Sequence, residues 1–178
     1  MNGTVTFRRV LPEEVPALVR LRLATREETY RGIYPDEWID GFDFAASEAR
    51  FRDMTADPDQ NVFFIKVNGE TAGYLCYGRE QEETMPKDSV CINMLYVLSA
   101  FQRRGIGALA LEQVRKYCRS IGRKRFYNGC NLYNVKAIRF YQKNGGHVIS
   151  WSTVSGNKAK DQVVFEHLVP PPAETIKP

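Results

Sequence analysis

A buried strand that leads into a glycine-containing turn and then a helix constrains this chain more than any other feature. The strand is predicted over 90–97 and the helix over 105–121, and the turn between them reads Gln102-Arg103-Arg104-Gly105-Ile106-Gly107. The first N–H groups of a helix have no partner inside it, and with the helix dipole they form an anion site. Glycines let the backbone approach a phosphate, and the arginines add positive charge. The sequence therefore predicts a turn that binds a pyrophosphate.

The same glycines allow a second interpretation. Gly105-x-Gly107-x-x-Ala110 also matches the dinucleotide fingerprint of NAD and flavin proteins. That fingerprint usually opens the first βαβ unit and needs an acid in the following strand, to bind the ribose. Here a long stretch of chain comes first, and residues 125–130 read RFYNGC, with no acid. Dinucleotide binding is therefore the less favoured alternative.

The periodicity of apolar residues predicts the other elements. Asn68-Gly69 is a strong hairpin signal between strands at 61–67 and 71–77. Two helices are predicted before these strands, with an aromatic-rich stretch at 26–44 broken by glycine and proline. The predicted order is βαα-βββ-αβα-ββ. This order favours an α/β (α+β) fold in which one parallel crossover interrupts a mostly antiparallel sheet.

Length and composition indicate the domain organisation. With 178 residues, the chain suits a single domain over 1–170, and the proline-rich stretch 171–178 is predicted to be a flexible tail. No secretory signal or membrane-length apolar run is visible, so we expect a cytoplasmic protein without a membrane partner. The four cysteines form no C-x-x-C pair, which argues against a metal site.

Net charge is only +4, a mild excess and not the pattern of a nucleic-acid-binding protein. A basic cluster does follow the central helix, and we interpret it as a solvated surface. Its members are Arg115, Lys116, Arg119, Arg123, Lys124 and Arg125.

A second motif lies in the helix predicted at 134–144. Asn134, Ala137 and Tyr141 share one helix face because they are spaced at i, i+3 and i+7. With the glycine turn, the segment N-x-x-A-x-x-F-Y-x-x-x-G resembles the two signatures of the GNAT acetyltransferases. The resemblance covers about residues 4–168, although only these two motifs are specific.

The resemblance implies a GNAT fold: a twisted sheet of about seven strands flanked by four helices, with a splayed cleft for acetyl-CoA. In that family the turn binds the diphosphate of CoA through backbone amides, and the preceding strand pairs with the pantetheine arm. The cofactor-binding residues implied here are Leu95, Tyr96, Val97, Gln102, Arg103, Arg104, Gly105, Ile106, Gly107, Ala108, Asn134, Ala137 and Tyr141.

The resemblance also implies catalytic roles. Tyr141 corresponds to a tyrosine that often protonates the departing CoA thiolate. Many relatives place a glutamate near Cys91 or Asn93 as the base, but no acid is present there. Asn93 is therefore expected to hold a relaying water, unless the amine arrives neutral. Four remote acids stay open as the base: Glu27, Glu28, Asp36 and Glu37. A further departure is Gly146-His147, where relatives usually have phenylalanine after the last glycine.

The acceptor site is expected between the first two helices, where Tyr30, Tyr34 and Trp38 could surround a cationic amine. The alternative for these aromatics is simple packing of the two helices. The predicted activity is direct transfer of acetyl from acetyl-CoA to a primary amine of a small molecule or peptide. A non-catalytic acyl-CoA sensor is the alternative, and a homodimer is compatible with the sequence.

Overall fold

The structure is a computed structural model that describes residues 3–171. Seven strands and five α-helices follow one another along these residues in the predicted order, with one additional short helix. They are β1 (Val5–Arg9), α1 (Val15–Tyr30), α2 (Asp36–Asp40), α3 (Phe44–Ala56), β2 (Gln60–Val67), β3 (Glu70–Arg79), β4 (Val90–Val97), α4 (Ile106–Ser120), β5 (Arg125–Asn131), α5 (Val135–Lys143), β6 (Gly146–Ser152) and β7 (Gln162–Leu168).

The strands form one sheet in the order β1-β2-β3-β4-β5-β7-β6. Only β4 and β5 run parallel, on either side of the crossover helix α4, and the other neighbours are antiparallel. The predicted mixed, mostly antiparallel sheet is therefore confirmed.

Glycines with positive φ lie at the ends of two elements, β2 and α4. Asn68 and Gly69 both have positive φ, 51° and 87°, as the hairpin between β2 and β3 requires. Gly122, at φ 71°, follows the last turn of α4, which is the conformation a glycine adopts after a helix.

Two apolar clusters cover opposite faces of the sheet. One contains Leu111, Val114 and Cys118 of α4, together with side chains of α5 and the sheet. The other contains residues of α1 and α3 beneath Tyr74 and Met94. The central apolar residues of both helix faces are buried, among them Val15 and Leu18 of α1 and Val114 of α4. Leu11 before α1 and Ile121 after α4 are each 46% exposed.

The aromatic-rich stretch 26–44 is more helical than predicted. Helix α1 continues to Tyr30, and α2 forms directly after Pro35. Two acids in the first turn of α2 complement the helix dipole, and Ile39 is fully buried and anchors it. The sheet is therefore flanked by five helices, not the four predicted.

The sequence also predicts no membrane span, a tail after residue 170 and a solvated basic cluster. No helix within 3–171 combines the length and apolar character needed to cross a bilayer. Residues 172–178 of the predicted tail lie outside the described residues, and the single-domain boundary at 170 stays a prediction.

In the basic cluster, Arg115 and Arg119 pair with Glu112, and Arg125 pairs with Glu166.

Candidate functional site

The site begins where β4 and β5 separate. The two strands pair only at Cys91–Tyr127 and Ile92–Asn128. Beyond these pairs no further pairing joins them in the part of the chain that the structure describes, although β4 continues to Val97. On its other edge β4 stays paired with β3 through Tyr96 and Val97. The predicted segment Leu95–Val97 therefore faces an opening in the sheet, as a splayed cofactor cleft requires.

The turn after β4 presents a row of unpaired backbone amides. Arg103 and Gly105 have positive φ, 62° and 79°, which turns the chain into α4. No side chain caps the start of α4. Within residues 3–171, the amides of 103–108 donate no hydrogen bond; the first donor in α4 is Leu109, to Gly105. Nothing lies within 4 Å of the position of a Cβ at Gly105. The turn thus fits an anion such as a diphosphate.

Gly107 has a different reason for lacking a side chain. A Cβ there would lie 2.7 Å from the ring of Phe140. The space that we expected to admit a phosphate is filled by this ring, so close packing of α4 on α5 explains the glycine. The amide of Gly107 remains among the unpaired donors.

The side chains of the turn brace it or extend from it. The Gln102 Nε2 donates to the carbonyl oxygen of Val97 at 2.8 Å, which ties the turn to the end of β4. Arg104 lies over the ring of Phe101, 5.4 Å from its centroid. Ile106 is buried and anchors the first turn of α4. The exposed residues of the turn are Gln102, Arg103, Arg104, Gly105 and Ala108.

Asn134 caps α5. Its Oδ1 accepts a hydrogen bond from the amide of Ala137 at 3.1 Å, which leaves the two N–H donors of its side chain for a ligand. The predicted common face of Asn134, Ala137 and Tyr141 is present, with Asn134 at the cap position and the other two inside α5.

Tyr141 is buried, with 6% of its surface exposed, and packs against Phe165 and His167. The hydroxyls of Tyr127 and Tyr133 each donate to a carboxylate. That of Tyr141, in contrast, has no hydrogen-bond partner among residues 3–171. Burial, with a smaller contribution from the Cys130 thiol, raises the pKa of Tyr141 above its usual value. The hydroxyl therefore keeps its proton at neutral pH.

His167 explains the departure at Gly146. A Cβ on Gly146 would lie 2.8 Å from the His167 ring, which is fully buried and stacks on Phe126 at 4.6 Å. The His167 Nε2 is 2.7 Å from the Asn128 Oδ1. Burial lowers the pKa of His167 to about 4. A histidine from β7 therefore occupies space that a side chain at Gly146 would need.

A cavity of about 270 Å³ lies against the other face of β4, between α1, α3 and β3. Tyr30 and Tyr34, two of the three aromatics expected at the acceptor site, line it, and their rings stack at 4.5 Å. The hydroxyl of Tyr30 is 2.9 Å from that of Tyr96. Trp38 is not among the lining residues; it is 43% exposed, and its carbonyl oxygen accepts a hydrogen bond from Arg26.

Asn93 is at a bulge of β4. In the register with β3, Met94 pairs with Cys76 and Ile92 pairs with Tyr77, which leaves Asn93 without a partner. Its Nδ2 donates to the Gln60 Oε1 at 2.9 Å and to the Arg79 carbonyl oxygen at 3.1 Å. The side chain borders the cavity with its Oδ1 uncommitted among the described residues.

The four remote acids proposed as a base do not line the cavity. Arg31 pairs with Glu27 and Asp36, and Glu28 binds the amide and hydroxyl of Ser99. Glu82, from the loop before β4, is the carboxylate that does line it.

Sequence reasoning missed several lining residues, namely Arg22, Arg26, Arg50, Tyr74 and Glu82. The i, i+4 spacing of Arg22 and Arg26 places them on one face of α1, and this was the available signal.

Comparison with known proteins agrees with this geometry. The sequence profile of the Acetyltransferase (GNAT) family matches residues 24–146. An uncharacterised N-acetyltransferase of Lactobacillus delbrueckii subsp. lactis is 25% identical over 148 residues, 82% of this chain and 85% of that protein.

Solved structures share the fold. PaiA N-acetyltransferase of Thermoplasma acidophilum, in complex with coenzyme A, superposes with a TM-score of 0.74 at 16% identity, over 93% of this chain and 99% of that chain. YncA of Salmonella typhimurium, with its cofactor acetyl-CoA, superposes with a TM-score of 0.67 at 19% identity, over 95% and 96%. The matched residues include the splayed strands, the glycine turn and Tyr141, and the chain therefore belongs to the GNAT family of acetyl-CoA-dependent N-acetyltransferases.

Proposed function

We propose that the protein transfers the acetyl group of acetyl-CoA to a primary amine of a small molecule or peptide, by direct attack in a ternary complex. The observation that carries this proposal is the position of the β4 bulge. At Asn93 the strand borders the acceptor cavity on one side and begins to separate from β5 on the other. Two ligands held on either side of this strand would meet beside it, and holding both in place supplies much of the rate.

The cofactor half would be bound mainly by backbone groups. The unpaired amides of residues 103–108 suit the diphosphate, with Arg103 and Arg104 adding charge, and the free edge of Leu95–Val97 suits the pantetheine arm. When bound, acetyl-CoA supplies an activated acyl group as a thioester. Backbone N–H groups beside the bulge would polarise its carbonyl.

Tyr141 would assist the leaving sulfur. As the carbon–nitrogen bond forms and the carbon–sulfur bond breaks, its hydroxyl would donate a hydrogen bond and then a proton to that sulfur, and the proton that the amine loses would restore the phenol. The amine loses one proton in the same reaction, so the products are an amide and a thiol. A tyrosine whose ring is buried and whose hydroxyl has no partner among the described residues suits this role.

Two groups at the cavity could take up the proton that the amine loses. Asn93 has an uncommitted Oδ1 that could hold a relaying water, and Glu82 is the carboxylate at the cavity. Because Glu27, Glu28 and Asp36 are bound elsewhere, we no longer favour them. The exposed Glu37 does not line the cavity either.

We also propose a cytoplasmic location. All four cysteines are free thiols, three of them buried, as is usual in a reducing compartment.

The test is a free-thiol release assay with acetyl-CoA and a panel of amines, with mass spectrometry of the product. We expect thiol release that depends on one class of amine, with an acetylated product of matching mass. Tight CoA binding by calorimetry, without release for any polyamine, amino acid, aminoglycoside or peptide, would instead favour an acyl-CoA sensor.

A further inference from the structure

The acceptor cavity has an excess of positive charge. Three arginines line it, Arg22, Arg26 and Arg50, against the single carboxylate of Glu82. The remaining lining side chains are neutral: Tyr30, Tyr34, Tyr74, Asn93, Met94, Tyr96 and Ala159. This excess of positive charge does not suit the cationic amine that we expected beside Tyr30 and Tyr34.

Arg22 is the arginine with the fewest commitments. Its guanidinium lies over the ring of Phe51, 5.6 Å from the centroid, and its nearest polar contact is the Met94 sulfur at 3.7 Å. None of the carboxylates described for residues 3–171 pairs with it. A half-buried guanidinium without an anion has donors available for a ligand.

The other two arginines each make one polar contact that leaves part of the guanidinium free. Arg26 donates from one terminal nitrogen to the Trp38 carbonyl oxygen at 2.8 Å, and its Nε is buried with no partner among the described residues. Arg50 reaches the exposed Glu82 at 3.9 Å, the outer limit of an ion pair. Neither contact removes the positive charge from the cavity.

This charge selects among acceptors. An ammonium with no other charge would meet like charge, whereas an amine that also carries an oxyanion would find complementary partners. The planar fork of arginine matches carboxylate and phosphate oxygens in pairs. The remaining arginines would also lower the pKa of the amine, which favours the neutral nucleophile in a site with few bases.

We propose that the acceptor is an amine that carries an oxyanion, a carboxylate or a phosphate, and that Arg22 binds this group. The inference rests on the proposed function, because it names the class of acceptor for the same site.

The experiment compares matched pairs of acceptors in the thiol-release assay. Each amino acid is paired with its amide, and O-phosphoethanolamine is paired with ethanolamine, which distinguishes the two oxyanions. We expect the charged member of one pair type to have a kcat/KM about 10- to 100-fold higher, as for hydrogen bonds between charged groups. Arg22→Gln should remove this preference. Arg20→Gln is the matched control, since Arg20 is exposed on the same helix and outside the cavity.

Calorimetry with the same acids and amides gives a readout that does not depend on turnover. Equal kcat/KM for acids and neutral partners in the wild type, or a preference that persists in Arg22→Gln, would overturn the inference while the proposed function stands. If no amine is acetylated, the proposed function fails, and the inference is decided by binding. The inference is supported if the wild-type protein binds an acid more tightly than its amide and Arg22→Gln loses this difference. It is overturned if the wild-type protein binds none of the acids, a result that does not depend on the folding of any variant.

Discussion

The two clefts beside β4 use different parts of the chain. On the side that we propose for the cofactor, unpaired amides of the turn at 103–108 and the free edge of β4 face the opening. At the cavity that we propose for the acceptor, the walls are mainly side chains from α1, α3, β3, β4 and the loop before β4. A backbone surface suits a ligand that every member of a family shares, whereas a wall of side chains can change with the acceptor.

The two sites also differ in the groups that carry positive charge. At the turn these are backbone N–H dipoles, with two exposed arginines beside them. At the proposed acceptor cavity they are three guanidiniums. Changes to the turn should therefore affect CoA binding and leave acceptor choice unaltered. Changes to the cavity should do the reverse, and the predictions below test this separation.

The largest effect is expected at Tyr141. Tyr141→Phe removes the hydroxyl and keeps the ring between Phe165 and His167, so kcat should fall by about 1000-fold, within the range for general acids, with little change in CoA affinity. Steady-state kinetics and calorimetry measure the two quantities. Tyr133→Phe is the control, since Tyr133 is 41% exposed. An unchanged kcat would exclude Tyr141 as the acid.

The second-largest effect is expected on the free energy of unfolding, through His167, which packs against Tyr141. The folded-state pKa of His167, about 4, is below its ordinary 6.5, so the unfolded chain binds more protons between these values. The free energy of unfolding should therefore fall by about 3 kcal/mol as pH drops from 6.5 towards 4. This contribution should be fully present above pH 6.5.

Urea unfolding at several pH values measures this contribution of His167. His167→Gln should remove it, whereas His147→Gln, at the exposed histidine, should largely keep it. The same pH dependence in all three proteins would contradict the assignment to His167.

A smaller effect is expected at the cofactor turn. Gly105→Ala places a Cβ at φ 79°, a strain of about 1–2 kcal/mol, and it should reorient the free amides. CoA affinity should then fall by about tenfold, as expected when a hydrogen bond to a charged group is lost.

Gly122→Ala is the matched control for Gly105→Ala. Gly122 has φ 71°, equally open space for a Cβ, and a place at the opposite end of α4. It should lose similar stability but keep CoA affinity, by thermal unfolding and calorimetry. Equal loss of affinity in both variants would show that the turn has no special part in binding.

The smallest effect is expected at Trp38. Its side chain lies outside the cavity, so Trp38→Ala should change acceptor KM by about twofold or less, as surface substitutions usually do. Tyr34→Ala removes a lining ring and should raise KM more. A larger effect at Trp38 would restore the acceptor role predicted from the sequence.

Much of the geometry at the proposed cofactor turn could be predicted from the sequence, because a helix start with free amides requires glycine at fixed spacing. Residues 102–107 and the motif at 134–145 are short, local signals of that kind. The acceptor cavity could not be predicted in the same way. Arg22, Arg50 and Glu82 come from three separate segments that meet only in the fold, and no local rule places Trp38 outside the cavity. The use of Gly107 for packing was also hidden, since a glycine in a sequence does not show what occupies its space.

The ring of Phe140 in the notch left by Gly107 has a further consequence. Phe140 precedes Tyr141, so one contact fixes both the start of α4 and the place of the phenol. If CoA is anchored by its diphosphate at the start of α4, its sulfur reaches Tyr141 only when the distance between these two points is kept. The packing of α4 on α5 fixes that distance, and a methyl group added at Gly107 would change it.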